Sequence, residues 1–250
     1  MIVAFIYALF AGQLAAPVPS DNANARAAAD DADRAVAEAG IDPAHRRAME
    51  AVIRDYLLEN PEVLSEAIAV LQQREAKKRL TGVRDKALAP FPGAVGGNPA
   101  GRIVLVEFTD YACGYCRASH PEVERLIRDH PQVKVVYREV PVIAEISKDA
   151  ALMGLAAARQ GKYKAYHDAM FTGPPASRAA IDAAARRAGL DMAAARAFTA
   201  SPEAARELDA NVEMMRELRL GGTPSFILGD ELFEGAVGYD KLAEAVKRAG

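Results

Sequence analysis

The stretch from Arg102 to Ile143 limits the fold more than any other part of the chain. "RIVLVEFTD" (102–110) is β-branched and apolar, the pattern of a buried strand. "CGYCRASHPEVERLIRDHP" follows as an amphipathic helix starting at the cysteines, and "VKVVYREVPVI" (133–143) is a second strand. Strand, helix, strand is a βαβ unit, which favours parallel pairing in one sheet. The only two cysteines, Cys113 and Cys116, fall where the first strand meets the helix.

The rest of the chain is arranged around that unit. From Ser147 to about Leu220 it is Ala-rich and helical. Breaks at Gly161, "TGPP" (172–175), "AGLD" (188–191) and "ASPE" (200–203) divide it into four or five short helices. "Thr223-Pro224-Ser225-Phe226-Ile227-Leu228" reads as a strand, Gly229-Asp230 as a hairpin turn and Glu231–Glu234 as the return strand. A terminal helix opens at Tyr239. The order is βαβ, a helical block, then ββα, without an internal repeat.

Upstream, Asp42-Pro43 and Asn60-Pro61 each give an N-cap followed by proline. Met49, Val52, Ile53, Tyr56 and Leu57 recur at helical spacing after the first. Val63, Leu64, Ala67, Ile68, Val70 and Leu71 do so after the second. The second helix continues through "QQREAKKRLTGVRDKAL" with charge but little apolar surface. A helix hairpin cannot bury such a stripe alone, so it packs on the domain behind it or on copies of itself. The polar stretch after Leu71 favours copies. "APFPG" (89–93) and "GGNP" (96–99) mark a domain boundary. Residues 26–88 thus form a helical N-terminal segment with its linker, and 89–250 the second domain.

"MIVAFIYALFAGQLAA" is short for a membrane span and suits the apolar core of a secretory signal over residues 1–25. Ala23-Asn24-Ala25 offers a cleavage site, with Arg26 as the first mature residue; the alternative is an uncleaved anchor. Either sends the rest of the chain across a membrane, where disulfides form. A net charge of −3 and the absence of Trp exclude a strongly basic, base-stacking nucleic-acid surface.

A C-x-x-C loop is too short to restrain the unfolded chain, so Cys113 and Cys116 make a poor structural staple. Zinc normally takes four protein ligands in structural sites, and the four histidines, His45, His120, His130 and His167, are scattered. A soft Cu(I) ion needs only the two thiolates and stays open as a metal reading; no other metal and no cofactor is expected. Thiol–disulfide exchange explains the placement best. The thiolate is the attacking species, and a helix N-terminus stabilises it. Cys113 reads as the nucleophile, and Cys116, one turn on and more buried, as the resolving thiol. His120 reads as a surface residue rather than a base.

The element order around C-G-Y-C resembles the thioredoxin fold with a helical insertion, as in DsbA-like proteins, and the expected fold class is α/β. Three further residues match that pattern. Glu107 stands where the family carries a buried acid near the resolving cysteine; the alternative is a solvent-facing strand residue. Pro121 stands where the family's active-site helix is kinked, and deprives the Arg117 carbonyl of its partner. "Gly221-Gly222-Thr223-Pro224" matches the loop whose cis-proline faces the cysteines, which would leave the Thr223 backbone free to pair with a substrate strand. Gly114, Tyr115 and Thr223 are the substrate-contacting candidates, with Tyr115 open between rim packing and substrate contact.

Ala48 to Leu64 resembles the N-terminal segment of ScsC-type proteins, periplasmic thiol oxidoreductases named for suppression of copper sensitivity. Some of that group trimerise through this segment and act as disulfide isomerases; others lack it and do not. The Gly114-Tyr115 pair and Thr223 also resemble the isomerase DsbC more than the oxidase DsbA. The resemblance implies a periplasmic homotrimer that isomerises disulfides in mis-oxidised exported proteins and is kept reduced by a membrane thiol reductase. A monomeric dithiol oxidase or reductase is the alternative within redox chemistry, and a Cu(I)-binding copper-tolerance protein the alternative outside it.

Overall fold

The computed structural model describes residue 31 and residues 34–250. The expected leader, its cleavage site and Arg26 lie outside the described residues. Two compact units divide between Glu66 and Ala67.

In the first unit, helix α1 (Pro43–Glu59) starts at Asp42. The Asp42 carboxylate accepts the backbone N–H groups of Ala44 and His45 at 2.8 and 3.1 Å. Such a cap contributes about 1 kcal/mol. No residue of α1 is buried. Helix α2 (Glu62–Leu88) begins here and continues into the second unit.

Within the second unit, the last turns of α2 correct one expectation. Leu80, Val83 and Ala87 are buried, packed with Val106, Phe108, Val136 and Leu218. Their spacing makes an apolar stripe that is hard to see among six Lys and Arg residues between 74 and 86. Polar contacts fix the same turns. Lys77 and Arg84 pair with Asp230 at 2.8 and 2.5 Å, and Arg79 donates to the Leu218 carbonyl at 3.1 Å.

The sheet contains β1 (Val95–Gly97), β2 (Ile103–Thr109), β3 (Val133–Glu139), β4 (Ser225–Leu228) and β5 (Glu231–Glu234), in the order β1-β3-β2-β4-β5. β2 and β3 run parallel, with Glu107 opposite Tyr137, and the other pairs are antiparallel. Side chains alternate across a strand. Ile103 and Leu105 therefore meet α3 (Gly114–Asp129) and α9 (Tyr239–Ala249) on one face. Val106 and Phe108 meet α2 and the helix α8 (Pro202–Glu217) on the other.

Five helices fill the connection from β3 to β4: α4 (Glu145–Arg159), α5 (Tyr163–Thr172), α6 (Arg178–Arg187), α7 (Met192–Thr199) and α8 (Pro202–Glu217). Ser177, Asp191 and Ser201 cap α6, α7 and α8 by accepting backbone N–H groups. Two strand boundaries differ from expectation. Gly96 and Gly97 belong to β1, an edge strand, rather than to a linker. A Cβ on Gly96 would lie 2.7 Å from the Tyr137 hydroxyl, so glycine lets that ring pass. β3 ends at Glu139, four residues early, because the Asp110 carboxylate takes the N–H groups of Val142 and Ile143 at 2.9 Å each.

Candidate active site

Cys113 is the N-cap of α3, in extended conformation, and its Sγ accepts the Cys116 N–H at 3.4 Å. A thiolate there meets unpaired N–H groups and the positive end of the helix dipole. The same sulfur lies 3.1 Å from the Thr223 carbonyl oxygen, to which the thiol donates. Cys113 thus has an acceptor when protonated and a donor when ionised. Cys116 is fully buried, while Cys113 keeps a sliver of exposure. Burial pushes the Cys116 thiol well above the usual cysteine range.

The Thr223–Pro224 peptide bond is cis, and both residues are buried beside the cysteines just before β4. The expectation that the Thr223 backbone is free needs correction: its carbonyl accepts the Cys113 thiol. A substrate strand would have to take that acceptor over. The Thr223 hydroxyl is buried, and its interaction with the Cys116 sulfur offsets part of the upward push on that thiol.

Glu107 is 1% exposed, so the solvent-facing alternative is excluded. Strand alternation places it on the α3 face of β2 with Ile103 and Leu105. Burial, helped by the Glu124 charge, pushes its carboxyl up to about 8. Its Oε2 has no hydrogen-bond partner. Tyr115 is 72% exposed, which removes the rim-packing alternative. At Gly114 a Cβ would meet nothing within 4 Å, so sterics do not demand glycine there. Pro121 lies inside α3.

His120 is buried rather than on the surface, its ring stacked on Phe171 and edge-on to His167. Burial lowers its pKa, and that of the wholly enclosed His167 further, so both rings are neutral at pH 7. The helical insertion covers this side of α3, and position 120 alone could not reveal that.

Several residues of the site carried no clear sequence signal. Asp110 accepts the Ala112 N–H at 2.8 Å through one oxygen and the two loop N–H groups through the other, which fixes the approach to Cys113. An aspartate preceding a turn was its only trace. Glu139 is a second buried acid, accepting the hydroxyls of Tyr111 and Tyr163 at 2.7 and 2.6 Å. Burial pushes it up to about 8 as well. Arg117 donates to the Met170, Phe171, Gly173 and Pro174 carbonyls, tying α3 to the end of α5.

With this geometry, the comparisons with known proteins agree. A family model described as Thioredoxin matches residues 92–248, more than half of the chain. One described as copper resistance protein ScsC N-terminal domain matches residues 46–78. A thioredoxin-like oxidoreductase from Silicibacter pomeroyi is 39% identical, covering 62% of this chain and 90% of that one, with a TM-score of 0.60. A linker-deletion variant of Proteus mirabilis ScsC is 28% identical, covering 84% and 96%, with a TM-score of 0.65. The thiol-disulfide exchange protein alpha-DsbA2 from Wolbachia pipientis is 25% identical, covering 72% and 98%, with a TM-score of 0.67. Among curated sequences, a Na(+)/H(+) antiporter NhaA 3 from Salinispora tropica is 28% identical over 150 residues, 59% of this chain. The chain spans about a quarter of the length of the curated relatives it matches. The chain therefore belongs to the thioredoxin family, as a DsbA-like thiol:disulfide oxidoreductase that resembles ScsC.

Proposed function

We propose that this oxidoreductase is a periplasmic protein disulfide isomerase that works as a self-associated assembly, a homotrimer by analogy with its family. The observation that carries this reading is the apolar surface left open on the N-terminal helices. Met49, Val52, Ile53 and Tyr56 of α1 and Leu64, Ile68 and Leu71 of α2 are all exposed. Surface of that kind is costly in water unless another chain covers it. Several active sites facing one client raise the effective concentration of thiol around it, which suits repeated reshuffling. Export through the N-terminal leader would place the protein where clients form disulfides. No helix among the described residues is long and apolar enough to cross a membrane.

The Cys113 thiolate attacks a client disulfide. A Cys113–client S–S bond forms, the client S–S bond breaks, and the second client sulfur leaves as thiolate. A client thiolate then attacks the mixed disulfide and regenerates Cys113, with no net oxidation. Otherwise the Cys116 thiolate attacks Cys113, releasing reduced client and leaving a Cys113–Cys116 disulfide. Two electrons from a membrane thiol reductase then restore the dithiol. Glu107 is the group proposed to take the Cys116 proton, since its raised pKa lets it exchange protons near neutral pH. Gly114, Tyr115 and Thr223 line the approach of the client.

The test pairs solution mass with refolding of a scrambled-disulfide substrate. An oligomer that recovers active substrate without added oxidant supports the proposal. A monomer that only oxidises or only reduces substrate sinks it in favour of a simple oxidase or reductase. Tight Cu(I) binding through Cys113 and Cys116 with no exchange activity would sink redox function altogether.

A further inference from the structure

His120 and Glu124 are four residues apart on α3, so their side chains leave one face of the helix. Asp168 reaches the same point from α5. One ligand atom from each of the three lies within 4.8 Å of the others. The His120 side chain is only 8% exposed, and its Nε2 faces Asp168 Oδ1 at 3.4 Å without a hydrogen bond. Glu124 Oε1 is also buried and unpartnered. The place already attracts a cation. The Lys164 ammonium sits 2.9 Å from Glu124 Oε2 and 2.7 and 2.6 Å from the two Asp168 oxygens.

Lys164 satisfies this pocket incompletely. One ammonium faces two carboxylates and leaves Glu124 Oε1 without a partner. The His120 Nε2 faces the acids yet makes no hydrogen bond, so neither the ammonium nor Asp168 satisfies it. A divalent ion balances both carboxylates and takes an imidazole nitrogen as a ligand. Imidazole with two carboxylates is a donor set suited to zinc, unlike the soft thiolate pair at Cys113 and Cys116. The Asp168 side chain is 39% exposed, so water can supply the fourth ligand.

We propose that His120, Glu124 and Asp168 form a binding site for a zinc-class divalent cation, which enters by displacing the Lys164 side chain. Lys164 is 35% exposed on a flexible stem, so its ammonium can swing into solvent. A bound ion would cross-link α3, which carries Cys116, to α5 of the insertion.

The full chain carrying Cys113→Ser and Cys116→Ser removes thiolate binding from the measurement. Zinc is titrated into it against a chromophoric chelator. One zinc per chain is expected, weakened about tenfold or more by Asp168→Asn and tightened about tenfold by Lys164→Met. Asp168 and Lys164 are partly exposed, so both variants should fold even where His120→Asn does not, and thermal melting confirms this. Failure to bind one zinc, or an affinity that neither substitution moves, overturns the site.

Discussion

The N-terminal helices and the thioredoxin unit depart from an ordinary globular fold in opposite directions. On α1 and the first turns of α2, large apolar side chains face solvent, and α1 buries none of its residues. In the thioredoxin unit, Glu107, Glu139 and His167 are each 1% exposed. Exposed apolar surface forgoes about 25 cal/mol per Å². A buried ionisable group costs more, because its charged form is driven out of water. Neither choice helps a chain that only has to fold alone. The first fits a surface meant for another chain, and the second fits chemistry that needs a movable proton.

The largest effect should fall on the thioredoxin unit. Cys113→Ser removes the only thiol with any exposure, so disulfide exchange should drop to the uncatalysed rate in a dithiol-coupled reduction assay. Cys116→Ser should instead trap Cys113 in mixed disulfides with client, visible on non-reducing gels. The next largest effect should be confined to the N-terminal helices. Ile53→Glu with Ile68→Glu puts charge on the open apolar surface. We expect dissociation by light scattering and a loss of isomerisation on the order of tenfold or more, while reduction of a small disulfide holds within about twofold. Equal loss in both assays would end the division of labour between the two regions.

How much of this was legible in the sequence follows from how local each signal is. The βαβ unit, the five insertion helices and the hairpin at Gly229 are written in neighbouring residues, through caps, breakers and apolar periods. The cysteine pair with Glu107 and Pro224 was legible because the family pattern fixes their spacing. Three things were not. The Leu80, Val83, Ala87 stripe is diluted by lysines and arginines, so a mostly charged stretch hid a buried face. Strand β1 is two glycines and a valine, and only the Tyr137 ring explains it. His120, His167 and Glu139 look polar and solvated in sequence. Their burial depends on the insertion folding back over α3, a contact between residues some fifty positions apart.

A smaller effect should come from Glu107, and its sign sharpens the contrast. The folded carboxyl titrates near 8 against 4.5 for the exposed group. A raised folded pKa means that the stability associated with the proton is complete below pH 4.5 and is lost as pH rises towards 8. Glu107→Gln removes that loss and should stabilise the protein by about 3 kcal/mol at pH 7, measured by urea unfolding. The same variant should slow release of the mixed disulfide through Cys116 and flatten its pH profile between 7 and 9. Stabilisation with unchanged release would leave Glu107 without a proton-transfer role.

The smallest effect, from His167, runs the other way with pH. Its ring is packed against Tyr137, Phe171 and His120, with centroids 4.4, 4.8 and 5.3 Å away, and burial holds its pKa well below 6.5. A depressed folded pKa means that stability is full above 6.5 and declines as pH falls, because only the unfolded chain takes up the proton. That loss grows as pH falls below 6.5. His167→Phe keeps a ring of similar size and cannot be protonated, so unfolding free energy should fall less between pH 7 and 5.5 than in the parent. The Tyr111 hydroxyl keeps its bond to Glu139 in that variant, which limits the polar cost. Together the two substitutions separate the buried groups by slope: one reduces the alkaline loss, which Glu139 shares, and the other the acid loss, which His120 shares. If the N-terminal apolar surface is independent of this chemistry, the double glutamate variant should shift the whole curve and leave both slopes unchanged.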